Sequence, residues 1–492
     1  MLSEPCSAQQ RVAPFIEGAL VESQSDSVFE SINPSTGQAF STIPAGCRED
    51  VDRAVAVAAR VFGDGRWSDA APSVKKDRLH ELADLIEEAG GALDALDAGD
   101  MGKPVGETFG NAKSAAGLMR FYAEAVDKLS GDVYTSDKSS FVTQRRVPRG
   151  VVAAVVPWNF PTYNAVLKLA PALAAGNCVV LKPSELSSRS AMCIAGLAMR
   201  AGIPPGVVNV VPGLGETVGQ ALGLHPNVDM LTFTGSTQVG KLMLRYAGES
   251  NMKVVMTECG GKSPHIVFDD GMDLDAVGEA VAGMLLINQG QLCSVGSRLL
   301  VQRSAESALL ERVSACMKRI KIGDALDAST TFGPVVSARQ CSRIMHYIET
   351  AEAEGARLLT GGGRVLRETG GYFVAPTIFH KVSPTSRIAQ EEIFGPVLSV
   401  MTFDDEAEAI RIANSTAYGL ATYVWTANLS TGLRMARGVR SSVWVNAVRP
   451  AGEGAGHAAS FEPAAQSGLG TEGGLAGMES YLRRQLVWIN HA

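Results

Sequence analysis

Three side chains in this 492-residue chain are of the types that carry out nucleophilic chemistry at a carbonyl. Cys293 lies in NQGQLCSVGSR (288–298), Asn159 in PWNFP and Glu258 in MTECGGK. A thiolate is an intrinsically strong nucleophile and needs less activation than a serine hydroxyl. It still requires an oxyanion donor, and hydrolysis of an acyl-enzyme requires a base. Asn159 offers an amide donor and Glu258 a carboxylate. No His or Lys lies within three positions of Cys293, so its helpers must come from elsewhere in the chain. Taken singly, each residue is weak evidence, since a lone cysteine is ordinarily a small core residue.

Other catalytic patterns lack parts. GSTQVGK (235–241) is followed by Leu242, where a Walker A loop needs Ser or Thr to hold Mg²⁺. GLGETVG (213–219) has the wrong spacing for G-x-G-x-x-G. No G-x-S-x-G or H-E-x-x-H occurs, and the seven histidines are dispersed. The sequence supports no catalytic metal and no Ser–His–Asp triad. The Gly-Ser turn at 235–236 still offers free N–H groups to a phosphate, although alone it is an ordinary helix cap.

The elements that must position these residues follow from the apolar rhythm. After an irregular start, the first ~120 residues read as mainly helical. VDRAVAVAARVF, for example, places Val51, Ala54, Val55, Ala58 and Phe62 on one face. GDVYTSDKSSFVTQRRVPRG (131–150) alternates like an exposed hairpin. From 151, the short β-branched runs VVAAVV, NCVVLK, VVNVV, MLTFTG and KVVMTE alternate with helical stretches. That alternation predicts a parallel sheet covered on both faces, with ligands beyond the strands' carboxyl ends. The residues at those ends are PWNF, KPSE, VPGLG, TGSTQVG and ECGG. A second α/β series runs from about 262 to 450, with strands expected at RLLVQ, RLLTGG, VLSVMTF, ATYVWT and SVWVNA. The Gly/Ala-rich stretch that follows is too long for a simple turn and reads as a functional or mobile loop. The tail ends in the strand-like LVWIN.

Composition narrows the class. Apolar residues make up 46% of the chain, and the net charge is only −7, which gives no case for nucleic acid. The first residues lack a signal peptide's basic start and apolar block, and no apolar run approaches the ~18 residues needed to span a membrane. The eight scattered cysteines form no C-x-x-C pair and are expected to be reduced thiols of a cytoplasmic protein.

Seven motifs occur in one order: PWNFP, LKPSE, FTGSTQVG, ECGGKSP, NQGQLCSVGSR, EEIFGPV and SGLGTEGG. In that order and spacing the chain resembles the aldehyde dehydrogenase superfamily, from NPSTG (33–37) to the C-terminal GMESY. The resemblance implies an α/β fold with two Rossmann-like parallel-sheet domains and a small β oligomerisation arm. Residues 8–128 and 148–259 would form the NAD-binding domain, and 260–450, with the loop 451–474, the catalytic domain. Residues 129–147 and 475–492 would form the arm that pairs with a second subunit in a homodimer or homotetramer.

It also implies roles. Cys293 would attack the aldehyde to give a thiohemiacetal, whose oxyanion is held by Asn159 and the Cys293 N–H. Glu258 would activate water to release the acid from the thioester. Lys168 and Glu472 match a pair that relays protons in some members and is equally an ion pair that steadies the fold. Lys182 and Glu185 would reach the adenosine ribose. A carboxylate at 185 favours NAD⁺, with NADP⁺ as an alternative used by some members that carry it. Ser236 would hold the pyrophosphate, and Glu392 and Phe394 the nicotinamide ribose. Trp158 would flank the cofactor, and Val156, Gly215, Gly219, Phe233 and Gly260 complete the implied cofactor surface.

The chain departs from the family in one loop. SFEPAAQSG stands where PFGGxKxSG is frequent: Phe461 is retained, Glu462 and Pro463 replace two glycines, and Ala465 replaces the Lys. Leu167 stands where small-aldehyde members often carry an aromatic. Together these predict a wider tunnel and a substrate bulkier than acetaldehyde. Its pocket is expected to include Phe160, Leu292 and Ser294, with polar contacts from Tyr163, Asn164, Glu453 and His457. A CoA-acylating semialdehyde dehydrogenase is the nearest rival, and Glu258 argues against it. A non-catalytic protein on the same fold would have lost Cys293, Asn159 or Glu258, and all three are present.

Overall fold

The computed structural model describes Cys6, residues 11–448 and residues 456–491. Two sheets with parallel centres organise the chain. In the first, strands Val208–Val210, Cys178–Lys182, Val151–Val155, Met230–Thr234 and Val254–Glu258 lie side by side and parallel. Every residue of Val151–Val155 and Cys178–Lys182 is buried, as expected of strands covered on both faces. Helices Arg48–Gly63, Pro161–Ala174 and Arg189–Arg200 pack on this sheet. The register pairs Val155 with Lys182 and Phe233, and Thr234 with Glu258. The segments carrying Asn159, Lys182, Ser236 and Glu258 therefore leave neighbouring strands at one end of the sheet.

The second sheet has the order Arg357–Thr360, Thr377–His380, Val397–Phe403, Arg298–Gln302, Pro264–Val267, Ala421–Trp425, Ser442–Val445, parallel except at the first strand. Two of its strands, Pro264–Val267 and Thr377–His380, had no clear sequence signal. Each has only four residues, with a Pro or His interrupting the apolar run, and is held by its neighbours on both sides. The irregular N-terminal start likewise contains a hairpin, Val28–Asn33 with Gln38–Pro44.

The expected outer hairpin, Asp132–Tyr134 with Ser140–Pro148, is joined by the C-terminal strand Leu482–Asn490 in a three-stranded antiparallel sheet. The Gly/Ala-rich loop, grouped by sequence with the catalytic domain, adds strand Gly468–Leu469 to the edge of the first sheet beside Thr257 and Glu258. One expectation is corrected. Cys6 and Cys193 form a disulfide, with Cα atoms 5.0 Å apart, so only six cysteines are free thiols. The two are 187 positions apart in sequence, and only the folded chain brings them together. Among the described residues no helix is long and apolar enough to cross a membrane.

Candidate active site

The turn before Cys293 is built against local preference. Helix Leu274–Leu286, capped by Asp273 through Asp275 N and Ala276 N, ends at Ile287. Asn288, Gln289 and Gly290 then take φ of 45°, 56° and 71°. Left-handed conformations cost an L-residue about 1–2 kcal/mol each, so surrounding contacts must hold them. Those contacts come from buried amides. Asn288 Nδ2 donates to Asn159 O at 2.7 Å. Gln291 donates to Asn288 O from its backbone (3.0 Å) and its side chain (3.1 Å), and its Oε1 accepts from Val336 N at 3.0 Å. Gln289, with its amide oriented to match, donates to Pro334 O and accepts from Gly333 N, each at 3.0 Å. Gly290 is required twice over, by its φ and because a Cβ there would lie 2.5 Å from Gly395 O.

This network fixes Asn159. Its Nδ2 donates to Gln291 O at 3.0 Å, and its Oδ1 accepts from Asn164 Nδ2 at 3.1 Å. Asn164 is thus committed to Asn159. Helix Pro161–Ala174 starts two residues later, and the fully buried Asp97 accepts from Thr162 N at 3.2 Å at its N-terminus. Burial pushes the Asp97 carboxyl up to about 6, against the pull of Lys103. Cys293 is half-buried between two buried neighbours, Leu292 and Ser294.

The ECGG segment meets this turn through backbone. A Cβ on Gly261 would lie 2.9 Å from Cys293 O, and one on Gly260 would collide with the Glu392 carboxylate. Glu258 is buried at the end of its strand, and its own O accepts from Gly235 N at 3.0 Å. Cys259 N donates to Ser467 O at 2.8 Å, so the Gly/Ala-rich loop pins this strand end. Gly261 N donates to Glu392 Oε1 at 3.2 Å. Burial pushes the Glu392 carboxyl up to about 7, although that bond and Lys262 favour its charged form.

The segment carrying Glu392 and Phe394 is braced from helix Ala338–Ala353. Gln340 Nε2 donates to Ile393 O (3.1 Å) and Phe394 O (2.7 Å), and Arg343 donates to Glu392 O at 2.7 Å. Phe394 is held at φ 60°, edge-on to Trp158 with ring centroids 5.3 Å apart.

Along the first sheet's edge, Val156 N donates to Lys182 O at 3.1 Å. Lys182 is buried; its Nζ donates to Pro183 O at 2.9 Å and lies 3.8 Å from the half-exposed Glu185. Burial pulls the Lys182 amine down. Gly215–Gly219 forms a single π-helical turn, and a Cβ on Gly219 would lie 3.8 Å from the Lys182 stem. Ser236 is exposed and caps helix Thr237–Glu249 through Val239 N, above the buried Phe233. Exposed helix-start N–H groups, a buried amine and a carboxylate cradle fit a dinucleotide.

The remaining residues divide. Lys168 and Glu472 form a buried ion pair. Phe160 is buried edge-on to Phe109 at 5.3 Å. Tyr163 and Leu167 pack against the core of the first sheet, and Tyr163 also meets the apolar cluster that Cys293 packs on. His457 lies over the Phe121 ring (centroids 6.5 Å) and beside Gly117, and burial pulls its pKa down. Phe461 is bridged to Glu472 through backbone. Glu453 lies outside the described residues. Sequence reasoning missed Asn288, Gln289, Gln291, Gln340 and Arg343. Their one signal was the polar run NQGQ directly after an apolar helix.

The model of the aldehyde dehydrogenase family matches residues 20–487. The chain belongs to this family. Its enzymes are NAD(P)-dependent oxidoreductases, and this chain is an aldehyde dehydrogenase that oxidises an aldehyde with NAD⁺ as cofactor. It is 40% identical to the NADP/NAD-dependent aldehyde dehydrogenase PuuC of Escherichia coli, over 97% of this chain and 95% of that one. It is 42% identical to an aminoacetaldehyde dehydrogenase of Pseudomonas aeruginosa, over 87% and 86%. The crystal structure of an indole-3-acetaldehyde dehydrogenase with NAD⁺ superposes with a TM-score of 0.95 at 44% identity, covering 99% of this chain and 98% of that one. The α/β architecture read from the alternating runs is the family's own.

Proposed function

We propose that Cys293 is the nucleophile of this aldehyde dehydrogenase, Asn159 its oxyanion donor and Glu258 the base that releases the acid. The observation that carries the reading is the Asn159–Gln291 bond, which locks a strand-end amide to the turn that presents the thiol. In the first half-reaction the Cys293 sulfur bonds to the aldehyde carbon, and the carbonyl oxygen takes the negative charge. Asn159 and the Cys293 N–H stabilise that oxygen where the charge develops. The aldehyde C–H bond then breaks with loss of hydride, for which a bound NAD⁺ would be the acceptor, and the C=O re-forms to leave the acyl group on Cys293 as a thioester. In the second half-reaction Glu258 takes a proton from water, the hydroxide adds to the thioester carbon, and the C–S bond breaks to give acid and thiolate.

The cofactor is placed with Lys182 and Glu185 at the adenosine ribose, Ser236 at the pyrophosphate, and Glu392 and Phe394 at the nicotinamide ribose. Val156, Trp158, Gly215, Gly219, Phe233 and Gly260 form the surface around it. A Glu at 185 prefers a free 2′-hydroxyl to a 2′-phosphate. Lys168 and Glu472 are structural in this reading, because their charges neutralise each other in a buried site. The substrate is bulkier than acetaldehyde, with Phe160, Tyr163, Leu167, Leu292, Ser294, His457 and Phe461 bounding its space. The domain division is that of the sequence analysis, and strand Gly468–Leu469 ties the loop to the edge of the first sheet. A homodimer or homotetramer is supported by the exposed Val133, Phe141, Leu486, Trp488 and Ile489 on the three-stranded sheet; sedimentation of Trp488→Lys tests it, and an unchanged particle size sinks it. The six free thiols favour the cytoplasm and the Cys6–Cys193 disulfide an oxidising compartment, and fractionation decides between them.

NADH formation by wild type and Cys293→Ser tests the central claim. Loss on the order of a thousandfold is expected, and full activity in the variant removes Cys293 from the role. Acid formed at the same rate with and without CoA supports hydrolysis; thioester formed with CoA would overturn the role of Glu258.

A further inference from the structure

Beside the nucleophile lies a cavity of about 270 Å³. Its wall includes both chain neighbours of Cys293, Leu292 and Ser294. The rest is mainly apolar: Phe109, Gly283, Met284, Ile287 and Val448. Cys293 itself packs against the same apolar cluster as Phe109, Ile287 and Val448, so cavity and thiol belong to one hydrophobic body. The charged side chain on the wall is Glu279, and its carboxylate is occupied by Arg319 at 3.0 Å, both largely exposed at the rim. No charge among the described residues therefore faces the interior.

Gly283 holds part of this space open. It lies inside helix Leu274–Leu286, where glycine is less favourable than alanine. A Cβ there would meet nothing within 4 Å, so packing does not demand the glycine. A side chain at 283 would extend along the cavity wall instead.

Resting on Cys293 as nucleophile, we infer that this cavity receives the side chain of the aldehyde, that the substrate class is an aldehyde bearing an aromatic ring, and that Gly283 determines this specificity. Size and chemistry agree. An apolar cavity of ~150 Å³ already accepts benzene. A two-carbon aldehyde leaves most of the 270 Å³ empty. Among the described wall residues a cationic aminoaldehyde meets one carboxylate, Glu279, already paired with Arg319.

The test compares kcat/KM with NAD⁺ for phenylacetaldehyde, acetaldehyde and 3-aminopropanal, in wild type, G283F, G283L and Cys293→Ser. Wild type is expected to prefer phenylacetaldehyde over acetaldehyde by about tenfold or more, the scale on which apolar pockets discriminate. G283F is expected to lower that ratio by about tenfold, mainly through KM for phenylacetaldehyde. G283L, which fills less of the cavity, should fall between the two and carries the same test if G283F melts below wild type. An unchanged ratio in both variants overturns the inference, as does a wild-type preference for acetaldehyde or 3-aminopropanal. Full activity of Cys293→Ser instead overturns the nucleophile on which the inference rests. An inactive Cys293→Ser combined with an unmoved ratio leaves the nucleophile standing and rejects the cavity alone.

Discussion

The two halves of the site are built by opposite means. Around Cys293, three left-handed residues are held by amides of Asn288, Gln289 and Gln291, all fully buried. Along the edge of the first sheet, two polar groups proposed to meet the cofactor are open, Ser236 exposed and Glu185 38% exposed on its side chain, although Lys182 beside them is buried. The contrast follows from what each half must do. Covalent attack needs the thiol and the oxyanion donor held to a fraction of an ångström, which only a dry, fully satisfied hydrogen-bond network enforces. A dinucleotide must enter and leave, so its contacts are fewer and remain reachable from water. Glu392 stands between the two regimes, because Gly261 binds its carboxylate while Arg343 holds its backbone.

That difference predicts unequal costs. Asn159→Ala removes the donor and unties the Cys293 turn, and kcat should fall about 10²–10³-fold with little change in KM for NAD⁺. A KM effect of the same size would mean the two halves are not separable. Lys168→Met leaves Glu472 buried without its partner and should cost about 3 kcal/mol of stability, read from the denaturant midpoint. A midpoint that stays put while activity collapses would favour a proton relay over the structural reading.

On the open side, effects should be smaller. Glu185→Ser should shift the kcat/KM ratio toward NADP⁺ by about tenfold, a modest figure because solvent screens a side chain this exposed. A ratio that does not move places the 2′-position elsewhere. The pH dependence of KM for NAD⁺ should be smaller still. Glu392 is raised to about 7, so its carboxyl is neutral below that pH and ionised above it. In the role proposed for Glu392, the ionised carboxylate is the stronger acceptor for the ribose hydroxyls. KM for NAD⁺ should therefore fall about three- to tenfold between pH 6 and 8, the worth of one hydrogen bond. Glu392→Gln should flatten the curve, and an identical slope in that variant assigns the titration to another group.

The first sheet was legible from residue order because its buried strands are short β-branched runs such as VVAAVV and NCVVLK, bounded by Gly, Pro and polar residues. Pro264–Val267 and Thr377–His380 were not legible, since four residues carry too little pattern and neighbouring strands decide their state. The seven motifs made the family readable and singled out Cys293, Asn159 and Glu258 as the candidates for its chemistry. They did not reveal that Asn164 donates to Asn159, or that Cys6 and Cys193 are joined.

The residue types and their order alone determined the α/β class, the family and the identities of the groups able to do the chemistry. The class follows from local periodicity, and the family and candidate groups from a resemblance in the order and spacing of seven motifs; the chain carries both without folding. The tertiary structure decided which groups meet. Gly260 and Gly261 exist to let Glu392 and Cys293 approach, and Gly283 leaves room that no neighbouring residue in sequence requires. Such contacts join positions more than a hundred residues apart in the case of Glu392 and Gly261. No local pattern encodes them, because the constraint lies in the space between strands rather than along any one of them.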